Sequence, residues 1–349
     1  MKLIKPKKLR KGSRVAAITL SWGGAGKFPW RYEAGKKQFE EEFGCEVMPT
    51  KHALKSPEWI YENPKARAED LMEAFADPTI DGIIAMIGGE ESIRILPFID
   101  LDLIRGNPKV FMGYSDTTVA HAICFKAGLS SFYGPAFMSG LAENTGMFPY
   151  LVNSLRKTLF SSEPIGLLEE NTEGWTVEHY DWGEPENQSI KRGVQPCSGW
   201  KYHQDKGSVT GQLFGGCFEV LDFLRGIEFH PTADELEGAI LFLEGSEEAP
   251  SPVVLERFLR SLGAMGILHK INGLLLGRPG GNMPVDQFAE YDAAVLKVLR
   301  GELELDHIPV VTHMDFGHTD PFMTMPIGVS CTIDSEKKQV IINEASVVD

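Results

Sequence analysis

Ser115, Glu244 and His318 are the side chains in this 349-residue sequence whose types and settings fit a nucleophile, an orienting acid and a base. Ser115 lies in Met-Gly-Tyr-Ser-Asp-Thr, between an apolar run that reads as a strand and a run that reads as a helix. A serine on a sharp strand-to-helix turn projects its hydroxyl over the sheet edge. The amide of Asp116 would then sit at a helix N-terminus, able to donate to a developing oxyanion. The plainer use of this pair is helix capping, and the motif alone favours it. Gly88 and Gly89 end the preceding strand. Backbone without a Cβ can approach a substrate closely, which would supply a second oxyanion donor; the pair also serves as an ordinary turn.

A nucleophilic serine needs a base and a group to orient that base. His318 stands in Asp-Phe-Gly-His-Thr-Asp-Pro, a loop after an apolar strand. Glu244 follows four apolar residues directly, which places its carboxylate at a strand end rather than on a solvated face. Glu247 and Glu248 read as rim charge. His121 falls on the helix after Ser115, and His313 lies inside a strand. The five cysteines (Cys45, Cys124, Cys197, Cys217 and Cys331) are odd in number and form no CxxC pair. Neither a zinc site nor a disulfide frame is expected, and no metal or cofactor.

The elements that must position these groups fall into two patterns. Arg14–Leu20 is an apolar strand, Tyr32–Phe43 a helix stopped by Gly44, and Cys45–Thr50 a strand. Asn63 reads as the N-cap of a helix that opens on Pro64 and ends before Asp77-Pro78. Two more buried strands follow, the second leading into Ser115 and a helix over 117–127. Repeated βα units predict a parallel sheet with helices on both faces and ligands at the carboxyl ends of the strands. Residues 163–206 are polar and aperiodic, a linker plus inserted loop. From Gly207 short strands with glycine-rich turns dominate, interrupted by helices over 251–263 and 287–300. The expected organisation is an N-terminal α/β domain of Rossmann or flavodoxin type (1–165), a linker and aromatic-rich loop (166–206), and a C-terminal mixed, β-rich, swivelling-barrel-like domain (207–349).

Bulk properties narrow the function. The net charge is −15, and the first 14 residues carry seven Lys or Arg and no acid, leaving −22 on the rest. So acidic a body repels a phosphate backbone, which argues against nucleic acid as a partner; the basic start reads as a solvated lead-in to the first strand. No apolar run reaches the roughly 20 residues of a membrane span, and no signal peptide is seen. A cytoplasmic protein with no membrane partner is expected.

Taken together, MIGGEESIRILPFID, NPKVFMGYSDTT, FYGPAF, GQLFGGCFEVLDFLRG, ILFLEGSEE and MDFGHTDP resemble the serine LD-carboxypeptidase family, in its microcin C immunity peptidase branch. The resemblance spans nearly the whole chain. It implies Ser115 as nucleophile, His318 as base, Glu244 as its orienting partner, and the amides of Gly89 and Asp116 as oxyanion hole. It also implies the two-domain fold and a homodimer. Glu90 departs from the aromatic common after the first double glycine, and Cys217 from the Asn common after the second. The expected substrate is a small peptide-like molecule, either an aminoacyl nucleotide or a murein tetrapeptide. The segment 173–202 holds Trp175, Tyr180, Trp182, Trp200 and Tyr202 in otherwise polar surroundings. Such rings either pack the loop or stack on a flat substrate group. Branch members carry an aromatic loop of this kind near the active site, so Trp175 or Trp182 is the expected stacking residue, with Gly88 beside it. A conventional α/β-hydrolase would place Gly where Thr117 stands and a helix after His318. A non-catalytic two-domain binder would need a cleft but no Ser–His pair.

Overall fold

Apolar runs without alternation set the strands of the first sheet, because a parallel strand is covered on both faces. The computed structural model describes residues 2–204 and 207–349. β1 (Arg14–Ile18), β2 (Glu46–Pro49), β3 (Gly82–Ala85), β4 (Val110–Gly113) and β5 (Phe132–Tyr133) are all parallel. With the later β12 (Met325–Pro326), antiparallel to β5, they give the order β12-β5-β4-β3-β1-β2. The helix over Pro29–Phe43 opens on a proline and closes on Gly44 at φ +66°, the left-handed conformation that favours glycine. Asn63 is the N-cap of Pro64–Ala76 as expected, but its side chain donates to the Trp59 carbonyl of an unanticipated short helix, Pro57–Glu62, rather than accepting from the helix it precedes.

The second sheet contains β6 (Gly166–Leu167), β7 (Lys201–His203), β8 (Ser208–Cys217), β9 (Ile240–Glu244), β10 (Gly273–Gly277), β11 (Val310–Met314), β13 (Ser330–Asp334) and β14 (Gln339–Ile342). Its order is β6-β14-β13-β8-β9-β10-β11-β7. The central pairs β8–β9, β9–β10 and β10–β11 are parallel, and antiparallel strands flank them. Helices Pro252–Ala264 and Phe288–Leu296 pack on it. The fold is thus the expected two-domain α/β arrangement, a mostly parallel sheet and a curled mixed one. The aperiodic segment is anchored at its ends by β6 and β7. Among the described residues no helix is long and apolar enough to cross a membrane.

Candidate active site

The turn after β4 puts Ser115 at φ +61°, a left-handed conformation that costs a non-glycine residue of order 1–3 kcal/mol. Local contacts hold it there. The Ser115 amide donates to Tyr133 Oη at 3.0 Å, and Thr118 Oγ1 donates to the Ser115 carbonyl at 2.7 Å. Gly88 lies directly opposite, where a Cβ would come within 2.8 Å of Ser115 Cβ and 2.9 Å of its Oγ. Gly89 has φ +147°. The capping use of Ser115 and Asp116 is not realised. The helix over Thr118–Ala127 has no side-chain cap, and buried Asp116 instead accepts the Ser92 amide through Oδ2 at 2.8 Å.

Glu244 ends β9 in register with Cys217 on β8, and it is 0% exposed. Glycines make its space: a Cβ on Gly317 would meet Glu244 Oε2 at 2.6 Å, and one on Gly277 would meet its Cβ at 2.9 Å. A carboxylate this buried requires partners. Oε2 faces His318 Nδ1 at 2.7 Å, and Oε1 accepts from the Tyr133 hydroxyl. A hydrogen-bonded path therefore runs from the Ser115 amide through Tyr133 and Glu244 to His318. Burial alone would lower the His318 pKa, but the charge and hydrogen bond of Glu244, helped by Glu247, raise it to about 9. The other ring nitrogen, Nε2, has no hydrogen-bond partner among the described residues. Glu247 Oε2 stands 3.1 Å from it, a charge contact rather than a hydrogen bond. Tyr114 packs on the ring with centroids 4.9 Å apart.

Ser115, Gly88, Gly89 and His318 open onto one cleft of ≈ 920 Å³. Trp22, Phe28, Tyr61, Tyr114 and Trp182 supply its aromatic lining. The aromatic loop is tied down beside it. Arg192 bridges Glu143 and Asp320, and Thr176 pairs backbone to backbone with Asp320, two residues beyond His318.

The LD-carboxypeptidase N-terminal domain matches residues 15–134, and its C-terminal domain residues 210–333. The microcin C7 self-immunity protein MccF of Escherichia coli is 32% identical over 311 residues, covering 88% of this chain and 86% of that protein. The chain belongs to the LD-carboxypeptidase family. It is a hydrolase of the serine carboxypeptidase kind. The structure of MccF in complex with aspartyl sulfamoyl adenosine superposes with a TM-score of 0.86 at 27% identity, covering 99% of this chain and 100% of that one. An apo MccF active-site mutant, in which a serine, an asparagine and a lysine are alanine, matches equally at 0.86, 27%, 99% and 100%.

Within this LD-carboxypeptidase, one expected substrate contact needs correction. Trp175 is 2% exposed and does not line the cleft. Its ring packs on Phe288 at 5.8 Å and lies under the Arg278 guanidinium at 4.8 Å, so its apolar surface is spent inside the second domain. Trp182 does line the cleft, with Arg31 over its ring at 5.1 Å and Phe28 edge-on at 6.3 Å. Sequence reasoning missed Tyr133 and Trp22. Tyr133 ends β5, beside the strand that leads into Ser115, and a buried phenol there needs a partner. Trp22 sits in a glycine-rich loop at the carboxyl end of β1, where ligands of parallel sheets bind.

Proposed function

We propose that this protein hydrolyses an amide bond in an aminoacyl nucleotide, with Ser115, His318 and Glu244 as triad. The observation that carries the reading is the 2.7 Å contact between His318 Nδ1 and the buried Glu244, on a histidine that shares a cleft with Ser115. The reaction runs in two steps. Ser115 Oγ attacks the acyl carbon as His318 Nε2 takes its proton, and the carbonyl oxygen becomes an anion facing the amides of Gly89 and Asp116. Glu244 holds the ring and balances the imidazolium. The C–N bond then breaks and the imidazolium proton goes to the leaving nitrogen. Water, deprotonated by the same imidazole, then attacks the acyl carbon; the bond to Ser115 Oγ breaks, the acid leaves, and the imidazolium returns its proton to Oγ. Tyr133 keeps the Glu244 carboxylate turned toward His318.

The nucleotide half of the reading rests on the cleft aromatics, above all Trp182, and on the kinship with MccF. A flat base stacked on such a ring gains roughly 1 to 3 kcal/mol. The same reading takes the protein as a cytoplasmic homodimer, and light scattering that returned a single 38.6 kDa chain would remove the dimer. The decisive assay offers aminoacyl sulfamoyl adenosines and a murein tetrapeptide side by side, with products identified by mass spectrometry. Release of sulfamoyl adenosine, lost on Ser115→Ala, is expected. Cleavage of the tetrapeptide alone would overturn the nucleotide reading. A fluorophosphonate that fails to label Ser115 would overturn the triad.

A further inference from the structure

The polar lining of the cleft is one-sided. Glu90, Glu91, Glu178, Asp181, Glu247 and Asp320 face it, against Arg192 as the lone Lys or Arg among the described lining residues. Arg192 is already engaged by Glu143 and Asp320, and Glu91 by Arg67 and Arg94. Glu247 differs from the other lining carboxylates in its reach toward the histidine. Its side chain is 72% exposed, yet its Oε2 reaches to 3.1 Å from Nε2 of His318, whose own side chain is only 5% exposed. That Nε2 has no hydrogen-bond partner among the described residues, and the histidine shares its cleft with Ser115. The backbone beneath Glu247 is also braced. Glu219 accepts the Ser246 amide at 3.1 Å and the Ser246 hydroxyl at 2.6 Å, and Gly280 and Gly281 leave no room for a Cβ against the carbonyls of Ser246 and Glu247.

We propose that Glu247 selects the charge of the acyl group, so that this site favours a basic aminoacyl group over an acidic one. The inference rests on the reading of the site as an aminoacyl-nucleotide hydrolase. The geometry behind it is short-range. When the acyl carbon is at Ser115 Oγ and the leaving nitrogen faces His318 Nε2, the aminoacyl substituents lie a few bonds from the same point. A carboxylate at that point pairs with a cation and repels an anion, and like charges brought together in a partly desolvated site are strongly disfavoured. MccF, by contrast, binds an aspartyl group in its structure and counts a lysine among the residues replaced in its active-site mutant. Among the described residues no lysine lines the cleft here.

The test compares lysyl, alanyl and aspartyl sulfamoyl adenosine as substrates of the wild-type protein, Glu247→Gln and Glu247→Lys. The readout is the ratio of kcat/KM between two substrates on one enzyme, because any effect of the substitution on His318 as base is common to both and cancels. The exposed position of Glu247 makes both variants safe for folding. Wild type is expected to prefer lysyl over aspartyl by more than about fivefold, Glu247→Gln to bring the two close together, and Glu247→Lys to reverse the order. A wild-type preference below fivefold, or a ratio that Glu247→Gln leaves unmoved, overturns the charge selection alone. If none of the three compounds is hydrolysed, the aminoacyl-nucleotide reading falls with it.

Discussion

The strand ends that carry Ser115 and Glu244 and the loop over 173–202 face the same cleft but were built by different rules. At the strand ends, register decides where a side chain points. Glu244 follows four buried apolar residues, pairs opposite Cys217, and has Gly277 and Gly317 cleared away around it. In the loop no periodicity exists, and long-range partners decide the fate of each ring. Trp175 and Trp182 are seven positions apart in one polar segment, yet one is sealed against Phe288 and Arg278 while the other faces the cleft. Local pattern therefore reports polar groups in regular elements far better than aromatic groups in irregular ones.

The strongest way to break this contrast is at the strand ends. Ser115→Ala should cost roughly 10⁴ to 10⁶-fold in kcat with the fold intact, since the hydroxyl itself does little packing. Retention of more than about a tenth of wild-type kcat would show that the elbow is structural. Glu244→Gln should follow at roughly 10³ to 10⁴-fold, because the amide can present its NH₂ to His318 Nδ1 and hold the wrong tautomer. Stability measured by thermal melting separates this from unfolding. A Glu244→Gln protein that melts like wild type and turns over within tenfold of it would remove Glu244 from the mechanism.

Much of the candidate site was legible because its residues sit where chain grammar changes. Ser115 marks the switch from strand to helix, His318 follows a strand in a glycine-bearing turn, and Gly88-Gly89 end a buried run. The parallel first sheet was equally readable from its unbroken apolar strands. Three features were not. Tyr133 stands in FYGPAF with no local sign of a polar role, and only the approach of β9 from the other sheet gives its hydroxyl the Glu244 carboxylate as partner. Trp22 became a wall of the cleft through Phe28, its edge-on neighbour at 6.0 Å. Glu247 read as rim charge because its exposure is real, while its reach toward His318 depends on the turn held by Glu219 and Ser246.

The acidity around His318 sharpens the contrast in a pH profile. Its pKa is raised to about 9, so the imidazole is protonated in the free protein at neutral pH. Only the neutral ring can accept the Ser115 proton. For a substrate with no ionisable group in the range, kcat/KM should rise about tenfold per pH unit from pH 6, flattening near 9, so that pH 7 lies about a hundredfold below the plateau. Glu247→Gln removes one of the charges that raise this pKa, and the midpoint should move to lower pH. A flat profile between pH 6 and 8 would exclude His318 as the base.

The smallest expected effect tests the loop itself. Trp182 lines the cleft and Trp175 does not, so replacing each by alanine should separate binding from packing. Trp182→Ala is expected to lower kcat/KM on an aminoacyl sulfamoyl adenosine by about tenfold, equivalent to about 1.4 kcal/mol of lost stacking. On a peptide amide with no base the loss should be much smaller. Trp175→Ala opens a cavity beside Phe288 and should instead cost roughly 3 to 5 kcal/mol of stability, read in denaturant, as buried large-to-small changes do. Its kcat/KM per folded molecule should fall by the same factor on both substrates, or not at all. The reverse pattern, a nucleotide-selective loss from Trp175→Ala with Trp182→Ala neutral, would mean that the loop re-docks when substrate binds.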